Sequence, residues 1–214
     1  MYFADKLSSP YGVNLPATKE CTMLDRDIRQ YLHDNYLCEY KKADDTAVVV
    51  DEMGLSAHAA RIDIGVINGK LVGYEIKSDR DNLDRLPRQL AIYNQIFDRV
   101  TVVCGPKHET KLLTYLPAHC GLMVTQKIGA DSPCLRTVRE ATQNNGRDAY
   151  MVASMLWYDE VKELLLRLGS KKGLSKLRKW ELWERLAGYY GTDIDALSGE
   201  VRRILKSRQT WREA

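Results

Sequence analysis

The chain has 214 residues, 44% of them hydrophobic and 29% charged, with a net charge of +3. That is enough chain to bury a core without disulfide or metal staples. No apolar run approaches the roughly 18 to 20 residues needed to cross a bilayer, and the first residues lack a basic-then-apolar leader, so a cytoplasmic protein without a membrane segment is expected. The five cysteines, Cys21, Cys38, Cys104, Cys120 and Cys134, stand at wide, irregular spacings that suit reduced thiols. A zinc site from Cys104, His108, His119, Cys120 and Cys134 would lack the usual Cys-x-x-Cys pair.

Residues 1–20, with Pro10, Gly12 and Pro16, have no periodicity and suggest an extended arm. Residues 22–37 place Leu24, Ile28, Tyr31 and Leu32 at helical spacing, with Thr22 or Asp25 as cap and Asp25 and Asp27 near the start, where the helix dipole favours acids. The valines of residues 47–53 predict a first strand with Glu52 at its end, positioned to reach a neighbouring hairpin. His58 falls in the loop that follows.

Residues 61–77 read as two alternating strands around Asn68-Gly69. With a period of two, Ile62, Ile64, Val66, Val72, Tyr74 and Ile76 should share one buried face, leaving Asp63, Glu75 and Lys77 on the other. A two-residue loop would set Asp63 opposite Tyr74, whereas a three-residue loop, or a bulge, pairs Ile67 with Leu71 and Asp63 with Glu75. Facing carboxylates repel, and a hard divalent cation such as Mg²⁺ or Mn²⁺ would remove that cost, with Lys77 near enough to orient water or offset phosphoryl charge. The alternative is a solvated strand face with a Glu-Lys ion pair.

Beyond Lys77, Pro87 opens a helix to about residue 97 with Leu86, Leu90, Tyr93 and Phe97 on its apolar side, and Gln89 one turn before Tyr93. Arg80, Arg85 and Arg88 add positive charge nearby. Residues 99–105 are a buried strand, a helix runs through Leu112, Leu113 and Tyr115, and residues 121–125 form a further strand. Residues 126–147, with Gly129, Pro133 and Gly146, suggest a loop or short hairpin and a linker. A helix over 150–168 closed by Gly169, a second capped by Ser175, and a third started by Thr192 or Asp193 complete the chain. From Ser154 onward 13 Lys and Arg meet 9 Asp and Glu, a net +4, leaving −1 for the part before. Lys171, Lys172, Lys176, Arg178, Lys179, Arg202, Arg203, Lys206 and Arg208 suit a helix-turn-helix-like surface for a phosphate backbone. Packing on the core and homodimerisation are the other jobs open to these helices.

An Asp, a gap of about a dozen residues, then Glu-x-Lys resembles the active-site pattern of the PD-(D/E)XK, or restriction-endonuclease-like, nuclease superfamily. Asp63, Glu75 and Lys77 match it, while Ile62 stands where the motif often has Pro. The run from Glu52 through Arg85-Leu86-Pro87, Gln89, Tyr93, Phe97-Asp98-Arg99-Val100 and Gly121 resembles a bacterial family of such nuclease-like proteins, over about residues 45–125. The resemblance implies an α/β fold, a mixed central sheet flanked by helices as in restriction-endonuclease-like cores, at 21–147. The helical module at 148–214 follows it. It further implies a Mg²⁺- or Mn²⁺-dependent deoxyribonuclease, with DNA as partner. Its metal ligands would be Asp63, Glu75, the Ile76 carbonyl and Glu52, and Lys77, Gln89 and Tyr93 would stand beside the reaction. A first-helix acid reaches the metal in some relatives, which points to Asp27. A catalytically silent DNA-binding module, or an interaction component of a mobile-element or defence system, is the alternative.

Overall fold

The computed structural model describes residues 23–55, 59–128, 132–208 and 210–211. The arm at 1–20, the Thr22 cap and His58 lie outside the described residues. The chain enters through α1 (Asp25–Leu32), a turn of π-helix (His33–Leu37) and α2 (Cys38–Ala43). Six strands then lie in sequence order in one sheet: β1 (Val48–Leu55), β2 (Ala60–Ile67), β3 (Leu71–Lys77), β4 (Arg99–Cys104), β5 (Gly121–Ile128) and β6 (Ser132–Arg139). The β3–β4 and β4–β5 pairs are parallel and the rest antiparallel. Parallel neighbours need a crossover, and α3 (Leu86–Tyr93) and α4 (Glu109–Tyr115) provide the two. The architecture is therefore the mixed α/β sheet with flanking helices expected from the sequence.

Both faces of the sheet are covered. Ile28, Leu32 and Leu37 pack on Ile64, Val66, Tyr74, Ile76 and Met123. On the other face, Leu86, Leu90 and Tyr93 join Phe97, Val100 and Leu122, and the same apolar cluster continues into the C-terminal helices through Leu164, Trp183 and Leu197. These helices are α5 (Ala149–Ala153), α6 (Tyr158–Arg167), α7 (Lys179–Tyr190) and α8 (Ile194–Lys206). Arg147, 5% exposed, pairs with Asp98, 4% exposed, at 2.7 Å, and the other oxygen of Asp98 accepts from Leu71 N at 2.7 Å. One buried ion pair thus ties the start of the helical region to the tip of the β2–β3 hairpin.

Several expectations need correction. Residues 126–147 take the hairpin alternative, with β6 paired to β5 along its length, but the linker reading fails, since Asn144, 1% exposed, donates to the carbonyls of Asn94 and Phe97. The helix expected over 150–168 breaks at Ser154–Trp157. The Ser154 hydroxyl turns back onto Met151 O at 2.7 Å, and Glu160 accepts from Trp157 N at 2.7 Å, opening a new helix. Ser175 does not cap α7: it sits in a 3-10 turn, and Glu181 accepts from Arg178 N instead. Gly169 (φ 83°) does close α6, and Asp193 caps α8 by accepting from Ala196 N at 3.0 Å.

Candidate functional site

The hairpin register is the one a three-residue loop dictates. Ile67 pairs with Leu71 and Ile64 with Tyr74, which sets Asp63 opposite Glu75. Asn68 N donates to Lys70 O at 3.1 Å and Lys70 N to the Asn68 side chain at 2.9 Å, closing the turn. The β2–β3 ladder stops at Ile64–Tyr74, and Ile76 N–H, which a continued ladder would aim at Ile62, donates to Asp63 Oδ2 at 2.6 Å. The strands part here, and the parting opens a cleft of about 480 Å³. Its floor carries Asp63, Glu75, Ile76, Lys77 and Gln89, and Arg61, Arg85 and Arg88 stand on its walls.

The expectation that Ile62 lies under the hairpin with Ile64 and Ile76 fails. Ile62 packs on the carboxylate side, in the cluster that holds Tyr93 and Phe97. Room for it comes from Gly73, where an added Cβ would meet Ile62 Cδ1 at 2.4 Å. Its facing partner Gly65 makes the same room for Met53, whose sulfur would sit 2.2 Å from a Cβ there. The switch of side coincides with Glu52, which has φ 54° and lies across β1–β2 from Asp63 in the register that pairs Asp51 with Ile64 and Met53 with Ile62. Glu52 is therefore within β1 rather than at its end.

Glu75 is 1% exposed. Its Oε1 receives Lys77 Nζ and, at 2.7 Å, Gln89 Nε2. Its Oε2 lies 2.7 Å from the Tyr93 hydroxyl, which also lies 2.7 Å from Arg61 O. Gln89 Nε2 reaches Tyr93 as well, at 3.1 Å. The expected trio of Glu75, Gln89 and Tyr93 is thus one hydrogen-bonded group, and Lys77 neutralises it. Burial and the Glu75 charge raise the Asp63 carboxyl from its ordinary 3.8 to about 7, against the downward pull of Ile76 N–H and Lys77.

Arg29 was not singled out by the sequence. From α1 it donates to Asp63 O at 2.6 Å and to Glu52 at 2.8 Å, and lies 3.3 to 3.6 Å from Asp51, Asp25 and Asp63 Oδ1. Burial opposes its charge, but Asp25, Asp63, Glu52 and Asp51 outweigh that and hold the guanidinium above its ordinary range. Arg61 holds the second oxygen of Glu52 at 2.8 Å. The first-helix acid at the cleft is Asp25, not Asp27, which accepts from Leu24 N and pairs with exposed Arg26. Asp25 precedes Arg29 by four residues, a helical ion-pair spacing that was visible in the sequence.

Among the described residues no three His, Cys, Asp or Glu side chains converge as a ready metal site. His108 faces Ser78 O and His119 faces Asn94, and Cys104 and Cys120 are buried, so the residues weighed for zinc are otherwise engaged. The cleft nonetheless offers hard oxygen donors, and Gln89 Oε1 is buried there without a hydrogen-bond partner among the described residues. Two facing carboxylates and an unpartnered acceptor are a donor set that suits a hydrated hard divalent cation.

The chain is 28% identical over 168 residues to protein cII of Enterobacteria phage P4, a match covering 71% of this chain and 63% of that relative's length. A Silicibacter pomeroyi protein of unknown function has a solved structure similar to 70% of this chain and 98% of its own, at 21% identity and a TM-score of 0.39. No described helix is long and apolar enough to cross a membrane. The model of the family described as bacteriophage P4 protein cII matches residues 22–211, and the chain belongs to that family.

Proposed function

We propose that the chain is a metal-dependent nuclease of PD-(D/E)XK type that hydrolyses phosphodiester bonds in DNA, as a component of a phage or mobile-element system. The observation that carries this reading is the register that sets Asp63 opposite Glu75, with Lys77 two residues on, where β2 and β3 part to open a cleft. Exposed Arg85 and Arg88 have no ionic partner among the described residues, which leaves them available to phosphate oxygens. Asp63, Glu75 and the Ile76 carbonyl would hold the cation, which when bound supplies Lewis-acid activation and charge stabilisation. Glu52, tied to Arg29 and Arg61, would support Asp63 from across β1–β2. Lys77 would hold the attacking water or offset charge on the scissile phosphate, and Gln89 and Tyr93 would fix Glu75 in place.

A second reading, a catalytically silent nucleic-acid-binding module, is favoured by one observation: both oxygens of Glu75 are already engaged by donors from the chain itself. Incubating the protein with supercoiled, linear, single-stranded and branched DNA, and with RNA, in Mg²⁺ and then Mn²⁺ separates the two. The nuclease reading expects metal-dependent cutting of DNA that falls at least about a thousandfold in Asp63→Asn, the scale of losing an interaction made in the transition state. A clean preparation that cuts none of these substrates supports the silent module.

A further inference from the structure

The basic residues of the C-terminal helices divide into two populations. On and just after α8, Arg202 pairs with Asp98, Arg203 with Glu200, Lys206 with Asp44 and Arg208 with Glu160. Arg202, Lys206 and Arg208 tie α8 to the segments before β4 and β1 and to α6, and Arg203 pairs within α8, so each of these charges already has a partner in the chain. The connection between α6 and α7 is different. Residues 168–180 contain Lys171, Lys172, Lys176, Arg178 and Lys179 and no Asp or Glu. Lys171, Lys172, Lys176 and Arg178 are exposed, and none of their side chains has an ionic or hydrogen-bond partner among the described residues. The nearest following acid, Glu181, is occupied by Arg178 N.

An indole stands at the end of this stretch. Trp180 is 45% exposed and makes no ring contact among the described residues. The other three tryptophans are engaged: Trp183 is 5% exposed and donates to Leu156 O at 3.0 Å, and Trp157 and Trp211 flank the Arg208 guanidinium. Exposing an indole among unpaired cations costs apolar hydration that a folded chain ordinarily avoids. Gly169 (φ 83°) and Gly173 (φ 73°) bend the connection, and Arg185 of α7 donates to Lys172 O at 2.8 Å, which ties the connection to the helix that carries Trp180.

From this arrangement we infer that the α6–α7 connection is a docking surface for single-stranded nucleic acid. Lys171, Lys172, Lys176 and Arg178 would track consecutive phosphates, and Trp180 would stack an unpaired base. Unpaired cations beside an exposed aromatic ring are the combination that grips single strands, because every unpaired base offers a face to stack while the backbone supplies charge. An acidic protein partner would use the cations but leave the indole without a purpose. The proposal is independent of the cleft chemistry and stands whether or not the cleft cuts.

The test is fluorescence anisotropy of labelled oligothymidylate of about 20 nucleotides, and of a duplex of equal length, with EDTA present so that no metal-dependent cutting intervenes. Titrations at several salt concentrations should give a slope of log affinity against log salt near −3 for the single strand, four contacts at roughly 0.7 each. Replacing Lys171, Lys172, Lys176 and Arg178 together by Gln should remove most of that slope. Trp180→Ala should weaken single-strand binding about tenfold, leave the slope in place, and abolish the quenching of tryptophan emission. All five side chains are exposed, so the variants should keep the wild-type circular dichroism. An unchanged slope in the four-residue variant overturns the proposal. So does duplex binding that equals single-strand binding and ignores Trp180, which would make the surface a duplex-tracking one. Binding of polyglutamate with no binding of either nucleic acid would make the surface an acidic-protein site and overturn it too.

Discussion

The cleft between β2 and β3 and the connection between α6 and α7 both carry dense charge, and they handle it in opposite ways. At the cleft, Glu75 is buried under Lys77, Gln89 and Tyr93, and Arg29 draws together carboxylates from α1, β1 and β2. Along 168–180, the cations of Lys171, Lys172, Lys176 and Arg178 reach into solvent with no partner among the described residues. The lesson is that charge in a structure has two costs. A buried group must be matched on site, so its neighbours become fixed, whereas an exposed one keeps its hydration and waits for a partner. The first arrangement suits chemistry at a fixed point, the second suits a ligand that arrives.

Charge matching at the cleft depends most on Lys77. Lys77→Met removes the cation from a carboxylate 1% exposed, and should cost about 3 kcal/mol, the low end for a broken buried pair because Gln89 and Tyr93 still donate. Urea denaturation measures it, and a loss below about 1 kcal/mol would mean that Glu75 is not held by charge matching.

Asp63 should give the opposite sign. Its folded carboxyl is raised to about 7 from 3.8, so the native state binds the proton more tightly than the unfolded chain. Metal-free stability therefore falls as pH rises from about 4 to about 7 and stays low above that, by about 1.4 kcal/mol for each unit of displacement at most. Asp63→Asn should keep the hydrogen bond from Ile76 N and remove this dependence. In EDTA at pH 8 it should exceed the wild type by about 2 kcal/mol, with the gap closing by about pH 4. Thermal melts across pH check it, and a variant less stable than wild type at pH 8 contradicts the repulsion between Asp63 and Glu75.

Tyr93→Phe is a smaller probe. The hydroxyl carries one proton and lies 2.7 Å from both Glu75 Oε2 and Arg61 O, so its loss should cost about 1 to 2 kcal/mol in a denaturant titration. The four-residue Gln variant of the α6–α7 connection completes the series. It should change stability by less than about 0.5 kcal/mol, as surface charges without partners do, and a larger loss would place those cations in the fold rather than on a docking surface.

The register of the hairpin was legible because alternation admits one pairing that keeps the apolar set together, and an odd loop follows from it. The fate of Ile62 was not, because the change of side depends on the backbone at Glu52 and on the room above Gly73, neither of which a two-residue period encodes. Gly65 and Gly73, facing each other across the strands, were the available signal. The role of Arg29 was not legible, because it depends on where α1 lies over β1 and β2; only its spacing from Asp25 was local. The break in the helix over 150–168 was readable from the Glu three residues after Trp157, but the apolar periodicity on either side concealed it. Which basic residues stay exposed and which pair was beyond composition, since Lys206 and Arg202 find their acids more than a hundred residues away in sequence, at Asp44 and Asp98.

The proposal that Asp63 and Glu75 face each other to share a divalent cation meets its sharpest test in calorimetric titration of Mn²⁺ into the metal-free protein and into Asp63→Asn. The account predicts saturable binding to the wild type and affinity at least about a hundredfold weaker in the variant, the loss of one charged ligand from a small donor set. Equal affinity in the two proteins, or no binding to a folded wild type, would contradict it.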